Sequence, residues 1–219
     1  MKKLLQISLA LASLFGAASF VQAKEAPTVA SAMQAKVAMC IGCHGIPGYQ
    51  ASFPEVHKVP MISGQNAKYI AASLTAYAKG ERKHPTMRGI ALSLTEQDIT
   101  DISAFYEAQA AVPAVADAVP APSAQVAELL TKGACVSCHG ANFSKPIDGS
   151  YPKIAGQHAD YLTVALKSYQ VEGNAVVGRS NAIMAAQVKQ FSSAELKAMA
   201  KYLASLPSEL RTVPQSKFR

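Results

Sequence analysis

The fold is decided by the stretch Cys40-Ile41-Gly42-Cys43-His44, which returns later in the chain as Cys135-Val136-Ser137-Cys138-His139. C-x-x-C-H is the attachment sequence of c-type haem. The two thiols add to the vinyl groups of the porphyrin as thioethers, and the histidine that follows lies where its imidazole can ligate the iron from one face. The two copies use all four cysteines of the chain. The sequence therefore predicts two covalently bound haem c groups, held by Cys40, Cys43, Cys135 and Cys138, with His44 and His139 as iron ligands.

Paired cysteines have other uses, which have to be weighed against haem. A CxxC pair can bind zinc, form a redox disulfide or staple a loop. Zinc sites do not require a histidine directly after each pair, and a thioredoxin-type site is expected beside a βαβ pattern, which this sequence does not show. Covalent haem is the favoured interpretation, and paired CxxC disulfides are the main alternative.

The two motifs belong to an internal repeat. Cys40 maps to Cys135 with an offset of 95 residues, and the segment 60–69 maps to 152–161 with an offset of 92. The pattern Arg-x-x-x-x-Met, which ends at Met87, recurs with an offset of 97 and ends at Met184. Matched spacing of this kind indicates a duplicated domain.

A proline- and alanine-rich stretch separates the two copies, and it predicts an extended linker. We therefore expect a signal peptide at 1–23, an N-terminal domain at 24–112, a linker at 113–122 and a C-terminal domain at 123–219. Apolar residues recur at helical spacing in both halves, and strand signals are weak. Thr95 with Asp98, and Ser192 with Glu195, have the spacing of capping boxes that open the last helix of each half. The fold class is all-α.

The first residues have the pattern of a secretory signal peptide. Lys2 and Lys3 precede an apolar run from 4 to 20, and Val21-Gln22-Ala23 resembles a cleavage site. The alternative is a membrane anchor, but the run is shorter and weaker than the ~20 residues that a spanning helix needs. We expect cleavage after Ala23 and export to the periplasm, on the side of the membrane where bacterial haem c is attached.

The charge of the chain narrows the choice of partners. Residues 24–112 carry eight basic and seven acidic side chains, and residues 123–219 carry eleven and six. Dispersed lysines without interleaved aromatic residues argue against nucleic acid. A basic face is better suited to steering a redox protein partner into contact, and it is also compatible with peripheral association with membrane complexes.

The second axial ligand decides what each iron can do. Methionine fills the coordination shell and gives an electron carrier, whereas an open position gives catalysis or sensing. Met87 and Met184 are duplicated at matched spacing, 43 and 45 residues after His44 and His139, and each is expected in a loop before the last helix. They are the predicted second ligands.

Further polar residues are candidates for supporting roles. The carbonyls of Pro60 and Pro152 can accept the Nδ1 proton of the ligating histidines. Arg82 and Arg179 can pair with haem propionates or lie on the surface. The duplicated Tyr77 and Tyr169 can each offer a hydroxyl to a propionate or simply pack in the core. The other histidines are His57, His84 and His158; they are expected to be solvated, with His84 as the candidate substitute ligand.

These residues together resemble the dihaem cytochromes c4, which are two class I cytochrome c domains in tandem. The resemblance covers essentially the whole mature chain. It implies His/Met ligation at both irons, haems that face each other across the domain interface, and electron delivery towards a terminal oxidase. Similar tandem domains also occur as cytochrome subunits of periplasmic dehydrogenases and oxidases.

The predicted protein is a two-domain dihaem electron carrier in the respiratory chain, and not an enzyme. Its expected partners are an electron donor and a terminal oxidase or similar acceptor. The alternatives are a dihaem oxidoreductase or peroxidase with one open iron, or a cytochrome subunit of a larger dehydrogenase or oxidase complex. The more basic C-terminal half is expected to hold the higher reduction potential.

Overall fold

The computed structural model describes residues 29–111, 116 and 118–214, and in that part of the chain both halves are helical. The first half contains the helices α1 (Val29–His44), α2 (Ala67–Lys79), α3 (Pro85–Leu92) and α4 (Glu96–Glu107). The second half contains the helices α5 (Ala124–Lys132), α6 (Val136–His139), α7 (Ala159–Tyr169), α8 (Ala182–Val188) and α9 (Ser193–Ser205). The signal peptide predicted at 1–23 lies outside the described residues.

Short strands complete the architecture, each of two residues. They are β1 (Gln50–Ala51), β2 (His57–Lys58), β3 (Arg82–Lys83) and β4 (Gly178–Arg179). The pair β1–β2 is an antiparallel hairpin within the first half. The pair β3–β4 is also antiparallel, but it joins the two halves. The prediction of an all-α fold is thus confirmed, with short strands where the loops meet.

The last helix of each half begins at a capping box, as predicted. At the start of α4 the Thr95 hydroxyl accepts the Asp98 backbone N–H, and the Asp98 carboxylate accepts the Thr95 backbone N–H. Ser192 and Glu195 exchange the same two hydrogen bonds at the start of α9. Backbone N–H groups that have no partner inside the helix are thereby satisfied.

Each half has its own apolar core, and the helical spacing in the sequence predicted much of both. The core of the first half consists of Val37, Ile41, Ile70, Leu74, Ile102 and Tyr106. The core of the second half is larger and includes Val126, Leu129, Leu130, Phe143, Leu162, Phe191, Leu196, Met199, Leu203 and Leu206. A domain of this size has a marginal core by itself, so a bulky apolar cofactor would complete it.

The halves differ at the haem motif. In the first half α1 runs without a break through the motif and ends at His44. In the second half the helix stops after Lys132, Ala134 adopts a left-handed φ of 46°, and the short helix α6 then carries the motif. The same five-residue pattern is therefore presented from two different backbone arrangements.

The C-terminal tail and the N-terminal half are in contact, although they are far apart in the sequence. The backbone N–H of Ala111, at the end of the first half, donates to the carbonyl of Glu209 at 3.0 Å, and Arg211 forms an antiparallel bridge with Ser63. The C-terminal tail therefore lies against the N-terminal half. The described part of the predicted linker contacts the C-terminal half, since the Tyr202 hydroxyl donates to the Pro120 carbonyl at 2.9 Å.

The duplicated glycines of the repeat lie where the chain comes closest to itself. Gly64 has a φ of +87° and Gly156 a φ of +67°, in the left-handed region that favours glycine. A Cβ at Gly64 would collide with the backbone of Glu209 and Ala110, and one at Gly156 would collide with Ser208.

Among the described residues no helix has the length and apolar character needed to span a membrane.

Candidate haem-binding site

A cavity of about 770 Å³ is lined by residues of both halves. Its lining includes the side chains that the sequence singled out for haem, which are Cys40, Cys43, His44, Met87, Cys135, Cys138, His139 and Met184. Core residues such as Leu74 and Leu162 supply apolar walls. The fold thus brings both predicted ligand sets to one continuous space, an arrangement that motif spacing did not indicate and that only the family resemblance implied.

The two histidines of the motifs are held by the proline carbonyls that the sequence proposed. His44 Nδ1 donates to the Pro60 carbonyl at 2.8 Å, and His139 Nδ1 donates to the Pro152 carbonyl at 2.9 Å. Burial lowers the pKa of both imidazoles and outweighs the opposing effect of the carbonyls. Each ring is therefore neutral with Nδ1 protonated, which leaves Nε2 free as a ligand atom.

The two methionines lie in short helices, and the prediction that they lie in loops is wrong. Met87 is in α3 and Met184 is in α8. The residue that caps each helix fixes the methionine backbone: Met87 N–H donates to His84 Nδ1 at 3.4 Å, and Met184 N–H donates to Asn181 Oδ1 at 2.9 Å. The sequence missed these helices because each is only two turns long.

In the structure the four cysteines are not joined to one another by disulfide bonds. Burial raises the pKa of the Cys40 and Cys135 thiols. Within the described residues no three or more His, Cys, Asp or Glu side chains are grouped so that they could hold a metal ion.

Between the halves lies a cluster of arginine and tyrosine side chains. Arg82 is 9% exposed and donates to the hydroxyls of Tyr69 and Tyr161, both at 3.3 Å, and to Ser73. Arg179 also donates to the Tyr161 hydroxyl, at 3.2 Å. Burial alone would raise the pKa of Tyr161, but Arg179 and Arg82 together lower it to about 8.

The predicted tyrosines flank the same arginines with their rings. The Arg82 guanidinium lies 4.7 Å from the centre of the Tyr77 ring, and that of Arg179 lies 5.4 Å from the Tyr169 ring. These are cation–π distances. The surface alternative for Arg82 is therefore wrong, since the side chain is buried in the interface. The repeat in the sequence includes Tyr69 and Tyr161, but sequence reasoning gave them no role.

Two of the remaining histidines, His57 and His84, have local roles. His57 was expected to be solvated, but it is 5% exposed and donates through Nδ1 to the Glu55 carbonyl at 2.8 Å. His84 is half-buried, and its ring meets Phe53 edge-on at 5.5 Å. Because its Nδ1 caps α3, His84 is the counterpart of Asn181 in the second half, and its role as a substitute ligand stays a prediction.

The residues present fit a haem group in each half. Arg82 Nε is buried and has no hydrogen-bond partner. Among the described residues neither Arg82 nor Arg179 pairs with a carboxylate. A buried guanidinium without a counter-charge is costly, and haem propionates would supply that charge. Arg82 and Arg179 are therefore suited to hold the propionates, and the apolar walls are suited to the porphyrin.

Comparison with known proteins also indicates a haem-binding protein of the cytochrome c type. The family model described as cytochrome c matches residues 123–207. Cytochrome c4 of Stutzerimonas stutzeri is 30% identical over 193 residues, which cover 81% of this chain and 89% of that protein. The thiosulfate dehydrogenase electron acceptor of Thiomonas intermedia is 26% identical over 193 residues, which cover 83% and 85%. The structure of reduced recombinant cytochrome c4 from Pseudomonas stutzeri matches with a TM-score of 0.60 at 28% identity, over 80% of this chain and 97% of that chain.

Proposed function

This chain belongs to the cytochrome c4 family of electron-transfer cytochromes with two covalently bound haem c groups, and we propose that it is a periplasmic carrier between respiratory partners. In this proposal His44 and Met87 ligate one iron, and His139 and Met184 ligate the other. The observation that carries the proposal is the duplicated histidine–methionine pair around one cavity. The proposed domains are 24–112 and 123–219, joined by a linker at 113–122 and preceded by the signal peptide 1–23.

The haem groups supply one-electron chemistry, because each iron alternates between the ferrous and ferric states. The residues of the chain hold the iron ligands in place for electron transfer. Carbonyl acceptors fix the orientation of His44 and His139, and burial keeps the two imidazoles neutral. A methionine in the second position keeps the iron closed to small molecules and raises the reduction potential. Two sites on one cavity allow an electron to be relayed within the molecule.

The partners are proposed from chemistry and from the relatives. An electron carrier needs a donor and an acceptor, and a terminal oxidase fits the acceptor side. Because one relative is described as a thiosulfate dehydrogenase electron acceptor, a dehydrogenase is a suitable donor. Docking should use a small interface of the electron-transfer class, below ~1,200 Å², and should weaken at high ionic strength. A role as a subunit of such a dehydrogenase is the second candidate.

The test is the near-infrared absorption band that arises from methionine bound to ferric haem iron, measured on the purified holoprotein and counted per haem. We expect the intensity of two ligated haems, and no spectral change when carbon monoxide is added to the reduced protein. The intensity of one haem, together with carbon monoxide binding at the other, would overturn the carrier proposal and support an enzyme with an open iron.

A further inference from the structure

Each half of the molecule holds the backbone of the other half through one buried glutamine. Gln157 Nε2 donates to the Met61 carbonyl at 2.8 Å, and Gln157 Oε1 accepts the Met61 N–H at 3.0 Å. Gln65 makes the equivalent pair with Lys153, at 2.9 Å for both bonds. Gln65 and Gln157 occupy matching positions in the repeat, so the two clamps are reciprocal.

The clamped residues come directly after the prolines that hold the haem histidines. Because Met61 follows Pro60, the Pro60 carbonyl and the Met61 N–H belong to the same peptide group. That group accepts from His44 Nδ1 on one side and donates to Gln157 Oε1 on the other.

The second site repeats this series. His139 Nδ1 donates to the Pro152 carbonyl, and the N–H of the same peptide group, on Lys153, donates to Gln65 Oε1. The histidine of each half is thus connected, through one peptide group, to a side chain of the other half.

The glutamines are well placed to act through this connection. Both are 4% exposed. Gln65 Oε1 also accepts the N–H of Asn66, and Gln157 Oε1 accepts the N–H of His158, each at 3.0 Å, where α2 and α7 begin. The amide orientations are therefore fixed, and water does not compete for the bonds.

We propose that Gln157 is a positioning residue for His44 of the opposite half, and that Gln65 is the positioning residue for His139. The proposal rests on the proposed function, because it requires both histidines to be iron ligands. A peptide whose N–H is hydrogen-bonded has a more negative carbonyl oxygen, since bonds in series polarise one another. That oxygen draws the Nδ1 proton more strongly and makes the imidazole a more basic ligand.

The sign of the effect follows from ligand basicity. A more basic imidazole stabilises ferric iron more than ferrous iron, so each glutamine lowers the reduction potential of the haem in the other half. Loss of Gln157 should raise the potential of the N-terminal haem, and loss of Gln65 should raise that of the C-terminal haem. Because each glutamine belongs to the opposite half, the reduction potential of each haem depends on whether the two halves are docked.

The experiment is a redox titration of the holoprotein variants Gln157→Ala and Gln65→Ala, with the haem methyl signals in the NMR spectrum assigning each potential to its haem. For Gln157→Ala we expect the ferrous-to-ferric ratio of the N-terminal haem to rise about threefold at a fixed applied potential, which is roughly 28 mV at 59 mV per decade. The C-terminal haem should change less. Gln65→Ala should give the reverse pattern.

Asn66→Ala is the matched control. Asn66 Nδ2 donates across the same interface to the Tyr151 carbonyl at 3.0 Å, so its removal loosens the interface without touching the peptide groups that hold the histidines. It should leave both potentials near those of the parent protein. If an alanine variant folds poorly, Gln157→Met and Gln65→Met keep the volume and remove the same hydrogen bonds.

Equal shifts at both haems, shifts at the haem of the same half, or shifts as large in Asn66→Ala would overturn the inference. So would unchanged potentials in variants that retain the near-infrared methionine bands. The parent protein distinguishes this failure from a failure of the proposed function, because the latter would show as a missing methionine band before any glutamine is changed.

Discussion

Arg82 and Arg179, which the repeat makes equivalent, are direct partners on neighbouring strands of the sheet that joins the two halves. Two like charges at such a position oppose docking unless other groups compensate. The Tyr161 hydroxyl accepts a hydrogen bond from each of them. This arrangement is suited to two anionic propionate groups in the same cavity.

Arg82→Leu tests this arrangement. Removal of a buried positive charge near the haem favours the ferric state, so we expect the N-terminal potential to fall on the order of 59 mV, a tenfold change in the ferric-to-ferrous ratio. Spectroelectrochemical titration measures the change. Arg88→Leu is the control, because Arg88 is an exposed arginine a few residues further along the chain; a similar fall in that variant would assign the effect to net charge alone.

Met87→Ala and Met184→Ala test the ligand assignment one iron at a time. Each should remove about half of the near-infrared methionine band, open one iron to carbon monoxide in the reduced protein and lower the potential of that haem. Met39→Ala is the control. Met39 is half-exposed on α1 and has no counterpart methionine in the repeat. A full band in either ligand variant would exclude that methionine as an axial ligand.

The ion pair between Lys153 and Glu209 links the loop after Pro152 to the C-terminal tail. The Nζ–Oε2 distance is 2.6 Å, and the two side chains are 13% and 11% exposed. Glu209→Leu leaves the buried ammonium group unpaired, so we expect the free energy of unfolding to fall by about 3 kcal/mol. The double variant Lys153→Met with Glu209→Leu should recover most of that loss. Chemical denaturation of all four proteins of the double-mutant cycle measures the coupling, and simple additivity would contradict the prediction.

Asp98 gives the stability of the N-terminal half a defined dependence on pH. Hydrogen bonds from Lys36 and from Thr95 lower the pKa of Asp98 from 3.8 to about 2. Because the folded pKa is the lower one, the stabilisation is complete above the unfolded pKa of 3.8 and is lost as the pH falls through about 2.

Asp98→Asn should therefore unfold at a lower temperature than the parent protein at pH 6, and the difference should shrink as the pH falls from 4 towards 2. Thermal unfolding followed by circular dichroism measures it. Glu96→Gln serves as the control, since Glu96 is an exposed acid at the start of the same helix. A difference between Asp98→Asn and the parent that stays constant down to pH 2 would contradict this assignment.

Much of the site could be predicted from local pattern. The haem motifs, the proline carbonyls that hold His44 and His139, and the capping boxes at Thr95 and Ser192 all depend on residues close together in the chain or on the duplication. The helices that carry Met87 and Met184 were missed, because two turns are too short to show apolar periodicity. The burial of His57 was missed as well, since a strand of two residues has no recognisable pattern.

The sequence by itself determined two helical domains, their attachment motifs and their duplicated polar residues, because these features follow from spacing along the chain. Only the tertiary structure decided how the halves meet. The linker is compatible with many arrangements, and the partners in the interface, such as Gln157 with Met61 or Arg82 with Tyr161, lie 79 to 96 residues apart. Such contacts arise from the packing of two surfaces, and no local pattern encodes which hydrogen-bonding groups will face each other once both surfaces are buried.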